Sequence, residues 1–568
     1  MTKTRLSLAL ALGCALASGA PAPVMAEVSG PYLAARQAMR MTDYRAAAPY
    51  FTNALTEDPA NTQLMEGLIS ALIGAGTLDP AVPVARRYLA SGGRGQEALV
   101  VLLTDQLKRG NFDQALADIR SGPVASPLID GLVIAWAELG AGRMAEALAE
   151  FDKLGAESGL EGFALYHKAL ALASAGDFES AEAIFADPTN AVGMTRRGAV
   201  AHAQILSQLE RNVDALATLD DLFGTGISDP ELDALREGLR GTSPVTFDVV
   251  RNPIDGLAEV FYSIAAALDG EAPDSQTLVY SRIAEHLRPD LPDAALLSAS
   301  VLERLDQQDL ALEAYARIAK TSSANLAAET GRAQALYALD RKEEAVGVLK
   351  SLTETQATYL SVHVALGDML RSEERYAEAA EAYSSAIALI ATPETRHWGL
   401  YYSRAITYER AQQWDKADAD FRLALELNPE QPSVLNYLGY SMLDRNINLS
   451  EALGMVERAV AQRPQDGYII DSLAWGYFLL GRFDDAVEPM ERASLLMPLD
   501  PIVTDHLGDV YWAVGRVREA EFQWHRALSF EPEEKDATRI RRKLEVGLDA
   551  VLAEEGAKPL ADRRNVAP

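Results

Sequence analysis

The sequence predicts an all-α protein built from a repeated pair of helices. Between Pro432 and Pro532 a unit of about 34 residues recurs three times in succession. Small residues at fixed columns let two antiparallel helices approach closely, and a proline ends the second helix of each pair. The columns are Leu438-Gly439, Leu473-Ala474 and Leu507-Gly508; Ala452, Ala486 and Ala520; Ala459, Ala493 and Ala527; and Pro464, Pro498 and Pro532.

The period and the columns match the tetratricopeptide signature, in which every unit is a helical hairpin. The same columns continue towards the N terminus as weaker units, and turns such as the one at Gly176 lie between the two helices. We therefore expect a tetratricopeptide-repeat superhelical solenoid of about 14 helical hairpins, with a concave groove lined by the first helix of each pair. Further second-helix alanines are Ala47, Ala81, Ala115, Ala147, Ala181, Ala215, Ala311, Ala345, Ala379 and Ala417.

Two stretches interrupt the array. Residues 224–256 contain turn formers and a short β-like run at 245–250, which predicts an irregular seam between two sub-arrays. A flexible hinge at the same place is an equal alternative. After Pro532 a charged segment predicts a helix that covers the exposed end of the array. The predicted organisation is a signal peptide at 1–26, sub-arrays at 27–223 and 257–532 around the seam, a capping helix at 533–555 and a disordered tail at 556–568.

The first 26 residues have the three parts of a secretory signal. Lys3 and Arg5 precede an apolar run, and Val24-Met25-Ala26 offers small residues for cleavage. The one cysteine, Cys14, lies inside this signal, so a chain cleaved after Ala26 has no thiol. Alternatively, Gly13-Cys14 resembles the end of a bacterial lipobox, and Cys14 carries a lipid. Both interpretations predict a periplasmic protein, and the second anchors it to the outer membrane.

The charge and the reactive residues favour a protein that binds other proteins. The formal net charge of −30 repels phosphate, which disfavours nucleic acid and anionic lipid as ligands. No phosphate-cradling glycine loop is present, and no two histidines have the spacing of metal ligands on one helix face. The sequence therefore predicts no enzyme activity, no cofactor and no metal. The histidines are His167, His202, His286, His363, His397, His506 and His525.

Candidate partner-binding residues follow from the geometry of the repeat. The second, fifth, ninth, twelfth and thirteenth residues of a first helix point into the groove, and in the C-terminal half they are rich in aromatic and acidic side chains. Such a surface suits an extended or helical segment that carries basic groups and apolar anchors. Alternatively, Trp475 and Trp512 pack between neighbouring repeats. The candidates are Asp368, Arg371, Tyr402, Asn436, Tyr440, Tyr468, Asp471, Trp475, Phe478, Asp505, Asp509 and Trp512.

The segments 436–440, 470–477, 505–512 and 256–262 resemble the large periplasmic tetratricopeptide proteins of proteobacteria, some of which are outer-membrane lipoproteins. One branch of that family acts as the adaptor of a carboxyl-terminal processing protease that trims cell-wall hydrolases. The resemblance implies a scaffold or adaptor whose partners are such a protease, its hydrolase substrates, or both.

Two other functions compete with the adaptor. One is an assembly factor for an outer-membrane export system for polysaccharide or protein, although the chain has no attached β-barrel segment. The other is a repeat-fused enzyme, which needs a catalytic domain outside the repeats. The predicted array leaves no room for such a domain.

Overall fold

The computed structural model describes residues 26–122, 124–190, 192, 195–224 and 229–563. This part of the chain is helical and contains no strand, so the predicted all-α repeat fold is confirmed. No helix among these residues has the length and apolar character needed to cross a membrane. The predicted signal peptide and Cys14 lie outside the described residues, except for Ala26.

The chain divides into two compact units, through Thr355 and from Gln356 onwards. Among the described residues, the first unit has nine helical hairpins and one further helix, α13, between the sixth and seventh hairpins. Its helices are α1 Ala26–Arg40, α2 Tyr44–Glu57, α3 Thr62–Gly74, α4 Leu78–Ala90, α5 Gln96–Lys108, α6 Phe112–Ser121, α7 Pro127–Gly140, α8 Met144–Gly155, α9 Glu161–Ser174, α10 Phe178–Ala186, α11 Arg196–Gln208, α12 Asn212–Phe223, α13 Pro230–Arg240, α14 Pro253–Leu268, α15 Asp274–Leu287, α16 Pro292–Arg304, α17 Gln308–Ala316, α18 Asn325–Ala338 and α19 Lys342–Thr355.

The second unit contains five hairpins followed by short C-terminal helices. One 3₁₀ turn, Thr395–His397, precedes its second hairpin. The helices are α20 Leu360–Ser372, α21 Tyr376–Ala388, α22 Trp398–Arg410, α23 Trp414–Leu427, α24 Pro432–Asp444, α25 Leu449–Gln462, α26 Gly467–Leu479, α27 Phe483–Leu496, α28 Pro501–Ala513, α29 Val517–Leu528, α30 Glu534–Val546, α31 Leu548–Glu554 and α32 Leu560–Arg563.

The small-residue columns lie where the two helices of a hairpin meet. A Cβ atom added to Gly508 would lie 2.4 Å from the Trp524 indole, and one added to Gly367 would lie 2.6 Å from the Tyr383 ring. The column alanine Ala486 is fully buried. These contacts leave no room for a larger side chain, which is the reason that the sequence repeats small residues there.

The predicted seam at 224–256 lies within the first unit, and the predicted sub-array boundary there stays a prediction. The β-like run at 245–250 forms no strand, which corrects that expectation. Side chains of α11 satisfy its backbone instead of a neighbouring strand. The Val245 amide donates to Ser207 Oγ at 2.8 Å, and the Asp248 amide donates to Gln204 Oε1 at 3.0 Å.

The C-terminal end also differs from the prediction. The predicted capping helix at 533–555 is two helices, α30 and α31, because Gly547 adopts a φ of 82° and turns the chain between them. The predicted disordered tail at 556–568 begins with an ordered stretch, since Leu560 in α32 is buried in the core of the last repeats. Residues 564–568 lie outside the described part of the chain.

Candidate functional site

A hairpin of the first unit packs against the concave surface of the same unit. Helices α3, α5, α7, α9 and α11 are the first helices of consecutive hairpins, and we call the surface that they line the first groove. The hairpin α14–α15 lies in it: α14 packs on α7 and α9, and α15 packs on α3 and α5. Apolar side chains of this hairpin, including Leu257, Phe261 and Ile283, are buried.

Trp136 of α7 forms the floor of the first groove. Its side chain has no exposure, and a Cβ atom on Gly256 of α14 would lie 2.3 Å from the indole. The indole Nε1 donates to His167 Nδ1 at 3.2 Å, and His167 Nε2 lies 3.2 Å from Ser263 Oγ on α14. Burial lowers the pKa of His167 to about 3, so this imidazole is neutral.

A charged cluster lies at the same contact between α14 and the helices of the first groove. Arg197 of α11 pairs with Glu259 of α14 at 2.7 Å and with Asp293 of α16 at 2.6 Å. The Tyr166 hydroxyl donates to Glu259 at 2.8 Å, and the Arg197 guanidinium lies 5.3 Å from the centre of the Tyr262 ring. Burial and the Glu259 charge raise the pKa of Tyr166 well above its usual value. These groups satisfy one another, and they line a cavity of about 460 Å³ between α9, α11 and α14.

The second groove is the surface lined by the first helices α20, α22, α24, α26 and α28, and these helices carry every candidate residue predicted from the repeat. At its N-terminal end the Tyr383 hydroxyl donates to Asp368 at 2.6 Å, and Arg371 Nε donates to that hydroxyl at 3.3 Å. Tyr402 is half-buried beside the rings of Phe421 and Tyr437.

Three residues spaced by four share one face of α24: Asn436, Tyr440 and Asp444. Asn436 and Tyr440 are half-buried, and Asp444 is exposed. Burial and the carboxylates of Asp471 and Asp444 raise the pKa of Tyr440 to about 12, so the phenol stays protonated. Tyr468, at the start of α26, is 56% exposed. This part of the second groove is in contact with solvent.

Trp475 of α26 is the large half-buried ring of the second groove. It stacks on His506 at 4.0 Å between ring centres and on Phe478 at 4.7 Å. His506 Nδ1 lies 2.9 Å from Asp471 Oδ1. Phe478 and Asp471 are buried, whereas Trp475 and His506 are half-buried.

The acidic pair on α28 is interior, which corrects the expectation that Asp505 and Asp509 face a partner. Asp509 has no exposure; its carboxylate accepts from Trp524 Nε1 at 2.9 Å and from Lys543 Nζ at 2.6 Å. Lys543 also donates to Asp505 at 2.7 Å, and Arg539 lies 3.5 Å from Asp509. Burial and the neighbouring Asp509 charge raise the pKa of Asp505, against the lowering effect of Lys543.

Trp512 is also in contact with the C-terminal helices α30 and α31. Its Nε1 donates to Asp549 at 2.8 Å, and a Cβ atom on Gly547 would lie 2.6 Å from its ring. Phe478, Asp471, Asp505 and Asp509 therefore serve packing, and Trp512 contacts the end of the array. The sequence analysis missed Lys543 and His506, although Lys543 follows Asp509 by one repeat length of 34 residues.

The described residues hold no cluster of metal-ligating side chains. The profile of the tetratricopeptide-repeat family matches residues 32–95, 330–393 and 402–467. A TPR repeat-containing protein of Pseudomonas aeruginosa is 25% identical over 184 residues, which cover 32% of this chain and 30% of that protein.

Solved structures give weaker likenesses. A tetratricopeptide repeat protein of Parabacteroides merdae has a TM-score of 0.38 and 17% identity, covering 45% of this chain and 98% of its own. Yeast Tom70 has a TM-score of 0.30 and 14% identity, covering 93% and 98%. At these TM-scores the likeness carries no argument. The three matched segments carry tetratricopeptide repeats, and the described residues fold as helical hairpins.

Proposed function

We propose that this chain is a non-enzymatic periplasmic scaffold that binds a protein partner along the second groove. The observation that carries the proposal is the contrast between the two grooves. The hairpin α14–α15 packs into the first groove, whereas the second keeps Tyr440, Tyr468 and Trp475 in contact with solvent. Aromatic rings in a concave surface are the usual anchors of protein interfaces, because they bury a large area at a small entropic cost.

The partner is a processing protease, its cell-wall hydrolase substrates, or both. This finer proposal rests on the resemblance of segments such as 470–477 to periplasmic adaptors and on the predicted signal at 1–26. A scaffold that holds a protease and a substrate together raises their effective concentration without any new catalytic group.

Capture of the partner from a periplasmic extract tests the proposal. Tyr440→Ala removes an aromatic anchor, and we expect the binding free energy to weaken by about 2–4 kcal/mol. The matched control is Tyr50→Ala, which removes a tyrosine that is exposed on α2 of the first unit. Wild-type affinity of the Tyr440 variant, with the co-eluting proteins identified by mass spectrometry, would exclude the second groove as the binding surface.

The site of export is tested separately. Protein from a periplasmic fraction should begin at Glu27 by N-terminal sequencing. A blocked N terminus at Cys14 with incorporated fatty acid would instead establish the lipoprotein, and an uncleaved cytoplasmic chain would contradict both.

A further inference from the structure

The cavity of about 460 Å³ in the first unit lies between one face of α9, one face of α14 and the start of α11. Residues four apart share a face of a helix. Gly162 and Tyr166 line the cavity from α9, and Tyr262 and Ala266 line it from α14. Because pockets that bind small molecules have volumes of about 300–1,000 Å³, this cavity has the size of a small-molecule site.

The charged side chains at the cavity already have counter-ions. Arg197 pairs with Glu259 at 2.7 Å and with Asp293 at 2.6 Å. Arg196, its neighbour on α11, pairs with Asp229 at 2.7 Å. A charged ligand would lose its hydration here without gaining a free counter-ion, and such burial is costly. The cavity therefore favours a neutral ligand.

The lining of the cavity is mostly apolar and includes three half-buried aromatic residues, Phe163, Tyr166 and Tyr262. A Cβ atom on Gly162 would meet no atom within 4 Å among the described residues, whereas one on Gly256, also on the α14 contact, would clash at 2.3 Å. Helix packing therefore does not require a glycine at position 162. Its small size leaves space beside the aromatic residues.

We propose that this cavity binds a neutral, largely apolar small molecule that contains a ring system. The rings of the ligand pack against Phe163 and Tyr262, since aromatic groups attract one another in offset-stacked and edge-to-face arrangements. The ligand contacts both α9 and α14, so its binding stabilises the contact between them by mass action. The site lies in the first unit and does not depend on the second groove, so the proposal goes beyond the scaffold function.

Fluorescence titration of the full-length chain tests the proposal with a matched pair of probes. Phenylnaphthylamine is neutral and has the predicted ring system, and anilinonaphthalene sulfonate has the same skeleton with one negative charge. We expect saturable binding of the neutral probe and binding of the sulfonate that is weaker by about tenfold or more, because a buried charge without a counter-ion is costly. A sulfonate that binds as tightly as the neutral probe would overturn the neutral ligand.

Gly162→Leu tests the location of the site. The leucine side chain lies on the face of α9 that carries Tyr166 and takes up space in the cavity, so the affinity for phenylnaphthylamine should fall about tenfold or more. Gly347→Leu on α19, where an added Cβ atom also meets open space, is the matched control and should stay within about twofold. Ala266→Leu fills the cavity from α14 and replaces the first variant if its thermal denaturation curve shows a damaged fold.

Hydroxyl-radical footprinting locates the bound probe without any substitution. Phenylnaphthylamine should protect Phe163 and Tyr262 from oxidation and leave Tyr50, which is exposed on α2, unchanged. Equal affinity of the Gly162→Leu and Gly347→Leu proteins for the probe would overturn the proposal. Full oxidation of Phe163 and Tyr262 at a saturating concentration of the probe would overturn it as well.

Discussion

The first and second grooves are both lined by the first helices of consecutive hairpins. They differ in what covers the side chains of those helices. In the first unit Trp136 and Arg197 contact the chain's own α14, through Gly256 and Glu259. In the second unit the described part of α24 and α26 presents Tyr440, Tyr468 and Trp475 to solvent. A groove filled by its own hairpin is part of the core and stabilises the fold. A groove with exposed rings is available to a partner.

The number of repeats therefore does not determine how open the concave face of an array is. The first unit has more hairpins, but α14–α15 packs into its concave face, with cavities of about 440 and 460 Å³ left along the contact. In the second unit the rings of Tyr440, Tyr468 and Trp475 keep contact with solvent.

The largest expected effect concerns the C-terminal end of the second groove, where α30 covers α28. Lys543→Met leaves the buried carboxylates of Asp505 and Asp509 with only the more distant Arg539, and breaking a buried ion pair typically costs about 3–5 kcal/mol. Because repeats are stabilised by their neighbours, the last hairpin should unfold early while the first unit is unaffected. Hydrogen exchange of α28 to α31 measures this. Lys535→Met, at an exposed position of the same helix, is the control and should change little.

The next effect tests whether α14 is seated against Trp136. Gly256→Ala places a Cβ atom against the indole, and we expect a loss of about 1–3 kcal/mol in the free energy of unfolding from overpacking. Gly347→Ala, where a Cβ atom on α19 meets open space, should instead stabilise by roughly 0.5–1 kcal/mol. Equal melting temperatures for the two variants would show that α14 does not contact α7 as described.

Acid should weaken the first unit through His167. The pKa of this imidazole is lowered to about 3 in the folded state, so the unfolded chain binds the extra proton and stability falls as the pH drops below about 6.5. At pH 5 the expected loss is about 2 kcal/mol. His167→Gln keeps a polar group beside Trp136 but removes this titration. A variant whose stability falls as steeply as that of the wild type between pH 7 and pH 5 would contradict the buried neutral imidazole.

The second unit should respond in the opposite direction, with the smallest effect of the four. Burial lowers the pKa of His506, but the Asp471 carboxylate and those of Asp505 and Asp509 raise it more, so the net pKa is above its ordinary value. The stability from the His506–Asp471 pair is full below about pH 6.5 and is lost as the pH rises through the folded pKa. Denaturation of His506→Gln at several pH values should show a flatter alkaline decline than the wild type.

The sequence predicted the hairpins well because their packing is local. Gly508 meets Trp524 within one repeat, so the column of small residues reports the contact directly. Position within a first helix also identified the half-buried residues Asn436, Tyr440 and Trp475. These features depend only on helical periodicity and on neighbours about one repeat away.

The rest could not be predicted, for two different reasons. Nothing in the repeat pattern shows that α14 returns to α7, more than a hundred residues earlier, to contact Trp136. Asp505 and Asp509 were expected to face a partner because the small-residue columns end before α30. Lys543 of that helix follows Asp509 by one repeat length and covers the pair, but no column marks it.

Hydroxyl-radical footprinting of the folded full-length chain tests the central claim most directly, because it reports the solvent contact of individual rings in both grooves. The account predicts rapid oxidation of Tyr468, measurable oxidation of Trp475, and no oxidation of Trp136 or Phe261, which have no exposure. Oxidation of Trp136 and Phe261 at the rate of Tyr468 would show that the first groove is not filled by α14–α15. Protection of Tyr468 and Trp475 in the isolated chain would show that the second groove is not open.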